Sequence, residues 1–154
     1  MNKKKEKLLQ ADLCARLVYG VKVRVEGDYF YDEMEPYDCD MDASKFADWL
    51  SHSYTVKPYL RLLTSMTEDE RKYLRNLVCY DYAPKDCPVV HGDFSMTTMY
   101  SCQEREVYEH YDMEIMLPYI QFLNEHHFDW HGLIKKGLAL EAPEGMYKIK
   151  KATK

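Results

Sequence analysis

Val21-Lys22-Val23-Arg24-Val25-Glu26 is the stretch whose reading decides the fold. Three β-branched residues alternate with three charged ones, the period-two pattern of a strand with one buried and one solvated face. Gly27-Asp28 suggests a turn, and Tyr29 to Tyr31 are expected to pair back on the valine strand as a hairpin. The residues after them read as loop. Asp42 or Ser44 is a candidate N-cap for a short helix through Leu50, with Phe46, Trp49 and Leu50 facing inward. Tyr54 to Leu60 reads as a second strand, with Val56 and Pro58 on one face. Pro58 has no N–H to donate, so that strand is expected at a sheet edge, or the proline at a strand end.

Helical patterns lie on either side of this core. Leu9, Leu13 and Leu17 recur at i, i+4 and i+8 in an amphipathic stretch from Lys3 to Leu17, with Leu8 and Ala15 alongside and Gly20 as a stop. Thr67-Glu68-Asp69-Glu70 is a capping box opening a helix to about Cys79, with Tyr73, Leu74, Leu77 and Val78 on its apolar face. Residues 80–102 read as loop with a short strand near Phe94 to Tyr100. Glu104 to Met116 reads as helix, and Pro118 is placed in the first turn of the next, which buries Ile120, Phe122 and Leu123. Asp129 is expected to cap a last short helix, Trp130 to Lys136, ended by Gly137. The expectation is a single compact α+β domain: an N-terminal helix, a small, mostly antiparallel sheet, a helical C-terminal half, and lysine-rich flexible ends at about 1–6 and 148–154.

Charge narrows the function classes. The chain of 154 residues carries a formal net charge of -5. Lys3, Lys4, Lys5 and Lys7 cluster at one end and Lys148, Lys150, Lys151 and Lys154 at the other. Residues 8–147 hold 13 bases against 25 acids, a body that repels phosphate backbones, so nucleic acid is not an expected partner. No apolar run reaches the roughly 18 to 20 residues of a membrane-spanning helix, so no membrane partner is expected. Asp12 and Arg16 interrupt the apolar region that a secretion signal would need after the first lysines, and Cys14 lacks the small residues that precede a lipidation site. Five cysteines, an odd number, suit free thiols in a reducing cytoplasm.

Motifs that carry chemistry are incomplete. His91-Gly92-Asp93 resembles the catalytic loop of aminoglycoside-phosphotransferase-like kinases. The metal-holding Asn of that loop is replaced here by Thr98, and no Gly-rich phosphate loop precedes it. Asp38, Asp40 and Asp42 match the first three ligand positions of a calcium loop. Ala43 then stands where glycine is needed, and Trp49 where a bidentate Glu is needed. His126, His127, Asp129 and His131 are the densest group of metal-ligand types, with His127, Asp129 and His131 as the candidates, but Asp129 as an N-cap breaks the helical spacing that would align them. Cys79, Cys87 and Cys102 with His91 are too loosely spaced for a zinc knuckle. No cofactor is expected, and the residues lean away from an enzyme.

The lopsided feature is tyrosine: 14 Tyr against five Phe and two Trp. Residues 26–44 hold eight acids and no base, interleaved with Tyr29, Phe30, Tyr31 and Tyr37. Tyrosine joins contact area to a hydroxyl and is favoured at interfaces. The candidate partner-binding residues are therefore Tyr29, Tyr31, Tyr37, Asp38, Asp40 and Asp42, facing a basic protein partner.

Three separated blocks carry a resemblance. They are Leu13-Cys14-Ala15-Arg16-Leu17 with Tyr19-Gly20-Val21; Val56-Lys57-Pro58-Tyr59-Leu60-Arg61 running on to Ser65-Met66-Thr67-Glu68; and His126-His127-Phe128-Asp129-Trp130 running through Gly132-Leu133-Ile134 to Gly137-Leu138-Ala139-Leu140-Glu141-Ala142-Pro143. Together they resemble small proteins of gut bacteria, their phages and mobile elements, to which no activity is attached. The resemblance implies an accessory-gene setting and no site residue. The reading that follows is a small cytoplasmic interaction or regulatory protein that acts by binding a partner. The alternatives are a metal-dependent enzyme or metal binder built on the His126 to His131 cluster, and a structural subunit of a larger assembly.

Overall fold

The computed structural model describes residues 2–29, 32–52, 54–78 and 113–147. It is a mixed α+β structure with an N-terminal helix and a mostly antiparallel sheet. The chain divides into two compact units, Met1–Arg61 with His131–Met146, and Leu62–Trp130 with Tyr147–Lys154. The sequence readings for residues 80–102, for the helix before Met113, for Tyr31, and for the lysine-rich end from Lys148 lie outside the described residues.

The first unit holds the sheet. Its strands are β1 (Lys22–Tyr29), β2 (Asp32–Asp40), β3 (Thr55–Leu60) and β4 (Leu140–Glu141), in the order β2-β1-β3-β4. β1 is antiparallel to β2 and β3, whereas β4 runs parallel to β3. The valine alternation does what its period requires: Val21, Val23 and Val25 are all buried. They pack with Leu9, Leu13, Met41, Trp49, Val56 and Leu60, and with Leu133, Leu138 and Ala139 from the returning segment. Each fully buried aliphatic side chain contributes roughly 1.5–3 kcal/mol.

Three sequence expectations change here. Residues 32–40 are strand rather than loop: Lys22 pairs with Asp40, Val23 with Cys39, Arg24 with Asp38 and Val25 with Tyr37. Opposite charges directly across the ladder make this acidic segment compatible with a strand. Beyond Tyr37 the register slips, because Gly27 is paired with Met34 and β2 carries one residue more than β1. Pro36 sits in that bulge, where a residue without an N–H costs the ladder least. Second, β3 is not an edge strand. β4 reaches only Tyr59 and Leu60, so Pro58 stands just short of the second neighbour. Third, Leu50 is 51% exposed, while Trp49 is buried and Phe46 partly so.

α1 (Lys3–Arg16) matches its predicted range, and its leucines face the core as expected, Leu8 and Leu17 partly buried beside Leu9 and Leu13, but two charged residues are buried with them. Leu9, Asp12, Leu13 and Arg16 are the buried residues, at i, i+3, i+4 and i+7, and Ala15 is exposed. A single 3-10 turn, Leu17–Tyr19, follows and is closed by Gly20 in the left-handed conformation. α2 (Ala43–Ser51) is capped by Asp42, whose side chain accepts from the Lys45 N–H at 2.9 Å.

The second unit contains α3 (Glu68–Val78) and α4 (Met113–Glu125), packed through Leu74, Met116, Tyr119, Phe122, Leu123 and Phe128. The capping box forms as read. The Thr67 N–H donates to Glu70 Oε2 at 2.7 Å, and the Glu70 N–H donates back to Thr67 Oγ1 at 3.3 Å. Pro118 lies inside α4 instead of opening a helix. It removes one intrahelical hydrogen bond there, which the packing of Met116, Tyr119 and Phe122 on either side offsets. No helix forms after Asp129: residues 130–137 are turns, with Gly132 and Gly137 both at positive φ.

Gly27 offers a direct test of the sheet. A Cβ there would lie 2.6 Å from Tyr54 Cδ1, so the ring would have to shift, while its 3.4 Å approach to Tyr54 Cα is an ordinary contact. Gly27→Ala is expected to destabilise the chain by about 1–3 kcal/mol. Urea unfolding reads this as a lower midpoint at unchanged slope, and an unchanged midpoint would refute the close packing.

Candidate functional site

β2 carries the acid and tyrosine residues that the sequence singles out, and strand geometry divides them. Successive side chains point to opposite faces of a sheet. Tyr37 and Cys39 fall on the valine face, across from Val25 and Val23. Asp38 and Asp40 fall on the opposite face, with Arg24 and Lys22. Tyr37 and the two aspartates therefore present to two surfaces instead of one. Tyr29 ends β1, and Asp42 lies beyond β2 as the cap of α2.

Each of the three acids lies near a base, Arg24 being shared between Asp38 and Glu26. Asp40 Oδ1 is 2.8 Å from Lys22 Nζ, Asp38 Oδ1 is 3.6 Å from Arg24 Nη1, and Asp42 Oδ2 is 3.4 Å from Lys45 Nζ. The Tyr59 hydroxyl also donates to Asp38 Oδ1 at 2.9 Å. On the same face Lys57 approaches Glu26 at 3.5 Å. The surface is thus a ladder of alternating charge rather than a block of negative potential. The cap bonds from the Lys45 N–H hold the Asp42 carboxyl below its usual range.

The backbone of β2 is also partly closed to a further strand. The Met41 N–H donates to the Val21 C=O at 2.8 Å, so the odd-numbered residues turn their peptide groups toward β1 and Asp38 and Asp40 turn theirs outward. There the Lys45 ammonium donates to the Asp40 C=O at 2.7 Å. With a bulge at Pro36 on one side and a lysine on the other, this edge has the features that block indiscriminate strand pairing.

What remains open is a groove on the valine face. Val25, Tyr37, Cys39, Met41, Lys45, Asp48, Trp49, Tyr54 and Val56 line about 190 Å³ between β2 and α2. Tyr37 is 45% exposed at its rim, the largest aromatic surface on the described part of the strand. Burial raises the Cys39 thiol, which makes it a poor nucleophile.

The histidine cluster disperses into separate structural roles. His127 occupies the left-handed position that ends α4, at φ 57°. Its N–H donates to the Asn124 C=O at 3.1 Å and the next N–H, from Phe128, to the Leu123 C=O at 2.9 Å, the paired bonds of a Schellman cap. Its ring stacks on Tyr147. His126 stacks on Phe122 and lies with Nδ1 2.9 Å from Glu70 Oε1. Asp129 is buried and caps no helix. Among the described residues no group of three or more His, Cys, Asp or Glu is arranged to hold a metal ion.

His131 belongs to a network that the sequence reading missed. Asp12 and Arg16 are fully buried one helical turn apart on α1. Arg16 Nε donates to Asp12 Oδ2 at 2.8 Å and Nη2 to Oδ1 at 2.9 Å, a two-pronged pair. His131 Nδ1 meets Asp12 Oδ1 at 2.8 Å across 119 residues of sequence. Burial pushes the Asp12 carboxyl up, but the hydrogen bonds from His131 and Arg16 and the charge of Arg16 outweigh it and hold the group below its ordinary range. An ionised Asp12 only accepts, so the His131 Nδ1 carries the proton. A carboxylate behind an imidazole is a base-like arrangement, yet neither Asp12 nor His131 lines the groove beneath Tyr37. The spacing of Asp12 and Arg16 at i and i+4 was the available signal.

A carboxylate with a depressed pKa contributes stability above its unfolded pKa and loses it as pH falls through the folded value. The wild-type chain is therefore expected to lose stability below about pH 4, and Asp12→Asn to lack that increment. Asp12→Ala, which strands Arg16, should cost about 3–5 kcal/mol, and Asp12→Leu combined with Arg16→Met much less. Equal losses in the single and double variants, measured by urea unfolding at neutral pH, would contradict a buried ion pair.

Comparison with protein-family models, with curated proteins and with solved structures gives no match.

Proposed function

We propose that this protein acts by binding another protein, with Tyr37 as the anchor of the contact and Asp38, Asp40 and Asp42 as orienting charges around it. The observation that supports the reading is Tyr37 itself: a tyrosine 45% exposed over an open groove, on a strand whose peptide edge is blunted. Such an arrangement favours recognition by side chains over strand addition. A partly exposed tyrosine above a pocket has the form of an interface hot spot, where aromatic residues dominate the free energy of association.

The acids have a different part. Each already has a neighbour of opposite charge, so contact with a basic partner exchanges one ion pair for another. The net gain is small, and the effect falls on orientation and encounter rate. A basic partner remains the better electrostatic match to this stretch, and the accessory setting implied by the sequence resemblance suits a protein that works by occupying a surface.

The test is capture of the partner by tagged chain from lysate at moderate salt, with variants compared quantitatively. Tyr37→Ala is expected to weaken capture about tenfold or more, and the pair Asp38→Asn with Asp40→Asn only about two- to threefold. Thermal unfolding of each variant serves as the fold control. A partner held equally by Tyr37→Ala would refute the reading. One lost mainly with the aspartates would move the anchor to the opposite face of the sheet.

A further inference from the structure

A second opening, which shares Trp49, Tyr54 and Val56 with the first, lies along the edge of β3 that β4 only half covers. The direction of its peptide groups follows from two bonds. The Leu60 C=O accepts from the Ala142 N–H at 2.8 Å, so Leu60 turns its backbone away from β1 toward β4. Peptide groups alternate between the two edges of a strand, so Pro58, Val56 and Tyr54 face the same way. The Tyr54 C=O is met by the Trp49 indole N–H at 3.2 Å. Pro58 has no N–H, and β4 begins to pair at the next residue. Among the described residues, the N–H and C=O of Val56 have no backbone partner on this side. They point past the end of β4, and β3 has no irregularity in its register with β1 that would turn them back. Buried peptide groups rarely lack a partner, because leaving one unmade costs a large part of its desolvation free energy.

They face a cleft of about 370 Å³, within the size range of small-ligand and peptide sites. Leu9, Trp49 and Leu138 give it apolar walls, and His52 and Tyr54 are stacked, with ring centroids 5.5 Å apart. Its charges are unequal. Lys57 is engaged by Glu26, and His52 lies 3.1 Å from Asp48. Glu6 has no ion-pair partner among the described residues. The last turn of α2 also borders the cleft, and the C-terminal end of a helix carries partial negative charge.

We infer that this cleft is a slot for a short extended peptide, whose backbone pairs with the free peptide groups of Val56 while an apolar side chain enters between Leu9 and Leu138 and a neighbouring Lys or Arg approaches Glu6. One donor and one acceptor at a single residue match the complementary pair of one residue in an extended chain. The slot goes beyond the Tyr37 surface and stands or falls separately from it.

The probe is an end-blocked peptide of sequence Val-Lys-Val-Lys-Val, added to the full chain at up to about millimolar concentration, a range suited to weak peptide binding. Amide hydrogen exchange by NMR is the readout. In the free chain, Val56 is expected to exchange faster than Lys57, which faces β1. The peptide should slow Val56 exchange about tenfold at saturation. An analogue N-methylated at its three central residues keeps the side chains, removes the donors and should lose this effect. Glu6→Gln should weaken the lysine peptide about two- to threefold, and Tyr37→Ala should leave it unchanged. The slot is refuted if Val56 is as protected as Lys57 in the free chain, if the N-methylated analogue binds equally, or if no protection develops. Changes confined to Tyr37 and Cys39 would also refute it, while leaving the Tyr37 surface standing.

Discussion

Asp12 has no access to water, and the first unit is organised around satisfying it. A lone carboxylate in such a place would take up a proton or force the helix outward. Arg16 supplies two hydrogen bonds from the next turn of the same helix, and His131 supplies a third from the far end of the chain. The last contact matters most for topology. His131 begins the segment that returns Leu133, Leu138 and Ala139 to the core and then lays β4 beside β3. Apolar burial alone accepts many arrangements of those three side chains. A hydrogen bond to a buried anion accepts few, and so fixes where the segment starts.

The same demand for local compensation shapes the surface. The acidic stretch looks like a strongly negative patch when read as a string, because its bases lie elsewhere in the sequence. Strand pairing brings Lys22 and Arg24 alongside Asp40 and Asp38 and offsets that part of it. What distinguishes β2 is then its one exposed aromatic residue and the way its peptide edge is closed, by a bulge, a proline and Lys45. These are features that resist indiscriminate strand pairing.

Local rules were legible in the sequence, and long-range ones were not. The valine alternation, the Thr67 capping box, the Asp42 cap and the span of α1 each depend on residues within a few positions of one another, and each appears where it was expected. Residues 32–40 read as loop because their compatibility with a strand depends on the opposite charges of β1 across a hairpin. The metal-like grouping of His127, Asp129 and His131 was misleading for a related reason. Closeness in sequence carried no information about a helix end that gives one histidine a left-handed cap and turns the others to different partners. Taken one at a time, Asp12 and Arg16 only interrupt an apolar run, whereas two opposite charges one helical turn apart can enter a core as a pair.

The two prolines near the sheet carry the argument furthest. Pro36 stands where β2 gains an extra residue, and Pro58 faces outward on β3 just before β4 begins. In each place the missing N–H is absorbed by a gap in pairing, so the sequence marks positions where the sheet stops being continuous. On the β2 side the Lys45 ammonium meets the outward C=O of Asp40. Beside Val56, among the described residues, a donor and an acceptor remain, facing a cleft with apolar walls and the carboxylate of Glu6. A fold that blunts one edge of its sheet with several devices and, among the described residues, leaves the Val56 peptide unit open on the other is asymmetric in what it can receive. The closed edge limits pairing to what side chains select, and the open unit admits an extended chain for the length of one residue pair.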